Sequence, residues 1–302
     1  MVKILGIKSN NLRSSGLMFH LILKIYNTLP LKLKKSIKKS VFFSFFREFF
    51  LKGIGNESKV KTEAFKIRAF FKLIRPIQSQ FPLIRIGGRN DGGYLIPDDL
   101  AGVEYSFSPG VGNQISFDLD LAQRGIQSFL ADGSIDQPPA NHHLISFDKV
   151  YIGIKNTGKI KTLDNWIKDK IPNKKDFILQ MDIEGAEYEI IRNLRIANLT
   201  KFRIMVIEFH GLDRLISKRG FNFINPIFKK ILKYFDVVHI HPNNFVPLVE
   251  VNGIKIPPVT EFTFLRKDRV RNRQFAKKFP HPLDQKNDPE RRNILLPELF
   301  YK

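Results

Sequence analysis

The stretch Phe177-Ile-Leu-Gln-Met-Asp182-Ile-Glu184-Gly-Ala-Glu187-Tyr-Glu-Ile-Ile191 sets two acids directly after a short apolar run and before a glycine. Apolar residues then return at helical spacing, at Ala186, Ile190, Ile191 and Leu194. The pattern predicts a buried strand whose carboxyl end delivers Asp182 and Glu184 into a tight turn and a helix start. In an open α/β sheet that edge is where ligands bind. The plainer alternative is an acidic helix N-terminus, with Glu184 and Glu187 complementing the helix dipole.

Three of the seven histidines sit at or beyond strand ends. His210 follows Val206-Ile-Glu208-Phe, while His239 and His241 lie in Val-Val-His-Ile-His-Pro-Asn243-Asn244. Strand alternation puts His239 and His241 on one face. Asp182, Glu184, His210 and His241 are the candidate catalytic residues, with Glu208 beside them. An imidazole there could take a proton from a hydroxyl at neutral pH. The same Asp, Glu and His groups could instead hold a divalent metal; a metal is possible but no ligand set is assigned. His142 and His143 fall in a Pro/Asn-rich loop and read as surface residues.

A second group of residues reads as a cofactor site. Tyr105-Ser-Phe-Ser-Pro-Gly110-Val-Gly112-Asn113 opens a strand–turn–helix unit whose glycines let a ligand approach the backbone near a helix N-terminus. Asp132 ends the next strand, 22 residues after Gly110, where an acid can hold ribose hydroxyls. Gly110, Gly112, Asn113, Asp132 and Asp182 are therefore the candidate cofactor residues. The alternative is a tight turn with a turn aspartate. A nucleoside smaller than a dinucleotide fits better, because the full G-x-G-x-x-G pattern is missing. No P-loop lysine, nucleophile-elbow serine or H-E-x-x-H is present. Met181-Asp-Ile-Glu stands where amino-methylating enzymes acting on nucleobases carry an Asn/Asp-Pro-Pro-Tyr/Phe turn. The chain has no cysteine, which excludes disulfides, thiolate metal sites and cysteine nucleophiles.

The elements that must hold these groups alternate as βα units. Core strands are expected at Glu104–Ser108, Gln127–Ala131, Lys149–Ile154, Phe177–Met181 and Arg203–Phe209. Helices are expected at Ile115–Arg124, Leu163–Asp169 and Glu187–Leu194. A helix at Asn225–Tyr234 then leads to strands at Val237–Ile240 and Glu261–Leu265, which close an antiparallel hairpin. Leu83–Ile86 and Tyr94–Ile96 flank a Gly-rich turn and form another hairpin. The class is α/β with a doubly wound sheet.

The 302 residues fit one large core plus an appendage, read as a basic amphipathic helical extension over 1–55, a main domain over 56–270 and a polar tail over 271–302. The formal charge of +21 is uneven: residues 1–75 hold 17 Lys/Arg against 3 Asp/Glu. Leu33, Ile37, Val41, Phe45 and Phe49 recur every four residues beside Lys34, Lys35, Lys38 and Lys39. Such a helix could lie on an anionic membrane surface or pack its Phe face on the main domain, and peripheral membrane contact is assigned to residues 17–51. No run reaches the ~18–20 apolar residues that span a bilayer. The expected location is cytoplasmic, at most peripheral to the inner membrane face. A nucleic-acid enzyme or binder is the alternative that the basic charge raises, but the excess charge lies mainly on the N-terminal extension, so nucleic acid is not the expected partner.

Met181-Asp-Ile-Glu-Gly-Ala-Glu187, Thr162-Leu-Asp164 and Glu208-Phe-His210 together resemble the FkbM family of S-adenosylmethionine-dependent methyltransferases. Arg85-Ile-Gly-Gly-Arg-Asn-Asp-Gly-Gly-Tyr-Leu-Ile96 and His239-Ile-His-Pro-Asn-Asn244 resemble a subgroup of it. The resemblance implies a seven-stranded Rossmann-like methyltransferase sheet, S-adenosyl-L-methionine as cofactor, and methyl transfer to oxygen on a sugar of a glycan or lipid-linked saccharide. By position, Gly110 and Gly112 would line the cofactor's amino-acid end, Asp132 its ribose, and Asp182 the sulfonium and acceptor. Ser108-Pro109 stands where the family often has an acid. His210 or His241 is the expected base, oriented by Asp182 or Glu184.

Overall fold

The structure, a computed structural model, describes residues 60–171 and 176–302. The amphipathic helix expected at 33–51, the membrane contact assigned to 17–51 and the extension over 1–55 lie outside the described residues.

The first described elements are α1 (Ala64–Leu73), β1 (Ile77–Gln78) and the hairpin β2 (Leu83–Ile86) and β3 (Tyr94–Pro97). The sheet begins with β4 (Tyr105–Pro109), followed by α2 (Ser116–Gln123), β5 (Gln127–Ala131) and β6 (Ile145–Asp148). A small pair, β7 (Tyr151–Gly153) and β8 (Ile160–Thr162), leads to α3 (Leu163–Lys170) and β9 (Phe177–Met181). Then come α4 (Glu187–Asn193), α5 (Ile196–Leu199), β10 (Phe202–His210), α6 (Lys218–Leu232) and β11 (Phe235–Pro242). The hairpin β12 (Val249–Val251) and β13 (Ile254–Ile256), the long β14 (Val259–Arg266) and the short β15 (Gln274–Phe275) complete the strands.

Seven strands form one sheet in the order β11-β14-β10-β9-β4-β5-β6. All neighbours are parallel except β14, which runs antiparallel between β10 and β11. Chain order reverses between β4 and β9, so a crevice opens above their carboxyl ends.

Every residue of β9 and β10 is buried, as central parallel strands with both faces covered require. On one face Leu179, Met181, Met205, Ile207 and Phe209 join Trp166, Tyr188 and Phe228 in the larger apolar cluster. Each fully buried side chain of that size contributes roughly 1.5–3 kcal/mol. On the other face Ile178, Ile204, Val206 and Leu265 pack with Ile96, Phe117 and Leu121, beneath the β2–β3 hairpin and α2.

That second face changes character toward the carboxyl edge. With a period of two, Ile178 is followed by Gln180 and Asp182, and Val206 by Glu208 and His210. Along the antiparallel β14, Leu265 gives way to Thr263 and Glu261. Tyr94 and Leu95 of the hairpin seal the boundary: Gln180 Nε2 donates to the Tyr94 hydroxyl at 3.3 Å, and Thr263 Oγ1 donates to the Leu95 carbonyl at 2.7 Å. The sheet thus carries a strip of acids and histidines, most of them buried, along one edge of this face.

Three expectations are corrected. The third core strand is Ile145–Asp148, not Lys149–Ile154; Tyr151–Gly153 pairs with β8 in a separate two-stranded sheet. The helix expected from Asn225 begins at Lys218, where the Ser217 side chain caps the Gly220 N–H, and it runs through Pro226. The segment 271–302 does not trail as a polar tail: Leu296 and Phe300 are buried, and Phe300 packs on Phe71 with ring centroids 4.4 Å apart.

Candidate active site

The turn after β9 is built around one carboxylate. Glu184 takes a left-handed conformation (φ 60°) and Gly185 follows at φ 109°. Glu187, the first residue of α4, is fully buried, and its Oε1 accepts from the N–H groups of Ile183 at 3.2 Å and Gly185 at 2.9 Å. The same oxygen lies 3.0 Å from Nδ1 of His210 at the end of β10. One side chain therefore fixes both the acidic turn and the imidazole.

The other ring nitrogen of His210 meets three more carboxylates. Nε2 is 3.4 Å from Glu208 Oε1, 3.7 Å from Glu184 Oε2 and 3.8 Å from Asp182 Oδ1. Burial opposes a charged ring, but Glu187, Glu208 and Glu184 outweigh it and hold the imidazole pKa well above its ordinary value. That balance favours the protonated ring, and Nδ1 faces Glu187. Exposure grades across the cluster: the side chains of Glu184 and Asp182 keep 36% and 16% of their surface, against 6% for His210 and 0% for Glu187. A molecule entering the crevice meets Asp182 and Glu184 first, with His210 behind them.

His241 belongs to a separate part of the strip. Glu208, Glu261 and His241 are register partners across β10, β14 and β11. β11 stands three strands from β9, roughly 14 Å at the usual strand spacing. Asp182, Glu184 and His210 are therefore brought together, whereas His241 is not part of their group. The acid beside His241 is Asp284, whose Oδ1 is 3.6 Å from His241 Nδ1 and 2.8 Å from His239 Nε2. Burial disfavours the Asp284 charge, yet the hydrogen bonds of both histidines hold its carboxyl far below the usual range. His241 is pushed up from its ordinary value by Asp284 and Glu261, against burial. Its Nε2 is buried with no hydrogen-bond partner among the described residues. Between the two histidine groups, Glu261 is pushed up to about 8 by burial, and the Glu208 charge adds to the shift. Asn287 Nδ2 donates to its Oε1 at 2.6 Å.

Of the cofactor candidates, Gly110 and Gly112 have different reasons to be glycine. A Cβ on Gly110 (φ 87°) would stand 1.9 Å from the Asp182 carbonyl oxygen, so its small size lets β4 approach the end of β9. A Cβ on Gly112 (φ 50°) would meet nothing within 4 Å. Gly112 N–H donates to Asp132 Oδ2 at 2.8 Å, and Asp132 Oδ1 accepts from the Ser134 N–H and hydroxyl at 2.7 and 2.6 Å. Asn113 is exposed beside them. In place of an acid at position 108, Ser108 donates to Oδ1 of the buried Asp118 at 2.6 Å. The Thr162 side chain caps α3, and Asp164 binds Asn198 at 2.6 Å, so that segment serves the scaffold.

Glu187, Glu261, Asp284 and Asn287 were not among the residues expected from sequence. Glu187 had a local signal, since it ends the acidic heptad; Asp284 and Asn287 had none, because their partners lie 45 and 26 residues away. Two groups place one ligand atom each within 4.8 Å of one another and so could hold a metal: Asp182, Glu208 and His210, and His239, His241 and Asp284. No described helix is long and apolar enough to cross a membrane.

Residues 103–239 match the family model of the methyltransferase FkbM domain, from the approach to β4 as far as His239 in β11. No curated protein matches the chain. Among solved structures, a fibrillarin/Nop5p complex aligns at 14% identity over 55% of this chain and 73% of that one, with a TM-score of 0.33. The mitomycin 7-O-methyltransferase MmcR aligns at 12% identity over 82% of this chain and 68% of that one, with a TM-score of 0.28. Similarities of that size carry no argument about this chain.

Proposed function

We propose that this chain, a methyltransferase with an FkbM methyltransferase domain over residues 103–239, uses S-adenosyl-L-methionine to methylate a sugar hydroxyl of a glycan or lipid-linked saccharide. The observation that carries the reading is the cluster of Asp182, Glu184, Glu187, Glu208 and His210 at the carboxyl edge, beside the reversal of strand order.

The residues present suit the cofactor. The space over Gly112 is open to a ligand at the mouth of the crevice, and Asp132 ends the neighbouring strand with its carboxylate already oriented. Gly110, Gly112, Asn113 and Asp132 would hold it. When bound, S-adenosylmethionine supplies a methyl group on a sulfonium, ready for in-line displacement.

The chain's own task is to place an oxygen and remove its proton. Asp182 and Glu184 face the crevice and accept hydrogen bonds from a hydroxyl there. His210, clamped by Glu187 behind those carboxylates, positions them, and the carboxylates nearer the crevice take the part of the base. A proton released by the acceptor passes to the carboxylate cluster.

Calorimetry with S-adenosylmethionine and S-adenosylhomocysteine tests the cofactor assignment, and binding of neither would remove it. With labelled cofactor, Asp182→Asn should abolish transfer to saccharide acceptors while leaving cofactor affinity within a few-fold. Transfer to RNA but to no saccharide would overturn the substrate class.

A further inference from the structure

We infer that the outer face of α1, with Phe275 beside it, docks the protein on an anionic membrane surface. α1 is apolar on two sides. Ile67, Phe70, Phe71 and Ile74 turn inward and join the larger apolar cluster. Phe65, Ala69 and Leu73 recur every four residues, which sets them in one row along the helix, and all three are exposed. Phe65 keeps 68% of its surface and Leu73 44%, so the row faces away from the core.

The surface continues past both ends of the helix. Arg75 lies over the Phe275 ring at 4.2 Å, Ile77 pairs with Phe275, and the Ala276 N–H donates to the Pro76 carbonyl at 2.9 Å. Phe275, 51% exposed, is thereby fixed next to the end of α1. At the other end the Lys218 N–H donates to the carbonyl of the exposed Val60 at 3.1 Å. Four of the eight exposed large apolar residues thus gather here, which marks a patch and not scatter.

Charge names the partner. Lys61, Arg68, Lys72, Lys218, Lys277 and Lys278 are exposed around these side chains. Over 60–75 the only acid is Glu63, which pairs with Lys66 at 3.0 Å, and 271–279 has none. Glu298, in the turn that packs against α1, pairs with Lys302. An apolar row bordered by cations matches a bilayer, whose interface takes the apolar groups while lipid phosphates meet the charges. A polynucleotide would also attract the cations, but it offers no apolar layer to Ala69 and Leu73.

The inference concerns membrane binding alone and is read without cofactor or acceptor, so it can fail while the methyltransferase reading stands, and the reverse. The full chain is sedimented with vesicles of phosphatidylcholine, pure or mixed with an equal part of phosphatidylglycerol. Binding to the mixed vesicles alone is expected, and it should weaken as salt rises. Phe65→Ser with Leu73→Ser, and separately Arg68→Glu with Lys72→Glu, should each weaken it about tenfold or more. All four positions are exposed, and circular dichroism checks that the variants fold. No binding to the mixed vesicles would overturn the inference. So would binding that both pairs of changes leave intact but that is lost in Lys34→Glu, Lys35→Glu, Lys38→Glu and Lys39→Glu combined, which would place the contact in the extension. Tighter binding to single-stranded RNA, abolished by the Arg68 and Lys72 changes and spared by the others, would assign the face to a polynucleotide instead.

Discussion

His210 Nδ1 and Glu187 Oε1 lie 3.0 Å apart, joining the end of β10 to the first residue of α4 across the acidic turn. Because the same oxygen accepts two backbone N–H groups, the imidazole is referenced to the turn that presents Asp182 and Glu184. A carboxylate whose one oxygen meets three partners positions its neighbours and need not touch a substrate.

Replacing that carboxylate separates its two duties. Glu187→Gln keeps an acceptor oxygen for the turn but weakens the hold on His210, and turnover should fall about 10- to 100-fold with cofactor affinity little changed. Glu187→Ala also strands the amides of Ile183 and Gly185, at about 1–3 kcal/mol. Steady-state kinetics and urea melts of the two variants distinguish these effects; turnover in Glu187→Gln equal to that of the unaltered protein would deny the positioning role.

The two glycines of the first loop should respond oppositely to one methyl group. Gly110→Ala forces a Cβ to 1.9 Å from the Asp182 carbonyl, so the ends of β4 and β9 must part and folding should be severely impaired. Gly112→Ala meets only open space, and its cost is the left-handed backbone, about 1–2 kcal/mol. That variant should fold and lose affinity for S-adenosylhomocysteine in calorimetry. Normal affinity would place the cofactor elsewhere.

Asp118 gives the protein a stability slope with pH. Burial pushes its carboxyl up from 3.8 to about 7, although the Ser108 hydroxyl donates to it. The folded state therefore binds a proton more tightly than the unfolded state between those values. Stability should fall as pH rises from about 4 to 7 and level off above, a change on the order of 4 kcal/mol. Asp118→Asn removes the titration, so its advantage in urea midpoint over the parent should be large at pH 8 and small at pH 4.

Asp284 is expected to secure the segment after β15. Its carboxyl is depressed, so its contribution is present above 3.8 and is lost as pH falls through the lower folded value. His241 is raised, so its contribution is complete below 6.5 and is lost as pH climbs past the folded value. Asp284→Asn breaks a buried ionic group and should cost about 3–5 kcal/mol near pH 5.5. Limited proteolysis should then cut within 277–292 before any other described segment; unchanged cleavage would show that Leu296 and Phe300 suffice.

Much of this was legible in the sequence because the central strands are unambiguous. Phe177–Met181 is apolar throughout and ends in acids, and the spacing of Ile178, Gln180 and Asp182 already encodes the change from core to site. The β2–β3 hairpin announced itself by its glycines. The third sheet strand did not: Ile145–Asp148 is a half-buried edge strand, while the neighbouring Tyr151–Gly153 offers the more regular alternation. Pro226 masked the start of α6, since proline reads as a first-turn residue. Glu187 looked like a dipole complement, and only the fold reveals His210 beside it. Asp284 and Asn287 were invisible for a simpler reason: nothing local marks a residue whose partner is a strand formed dozens of positions earlier.

The bond between Asn287 and Glu261 spans 26 residues, and that between Asp284 and His239 spans 45. During synthesis at about 5–20 residues per second, β10, β11 and β14 exist for seconds before the groups that complete their polar edge are made. Through that interval Glu261 lacks the Asn287 amide that donates to it, while Glu208 already has Asn243. Chains stalled on the ribosome after residue 275 should generate little folding force, and chains extended past residue 302 should generate it fully. The late arrival of Asp284 and Asn287 ties completion of the His239, His241 and Glu261 edge to the last stretch of translation.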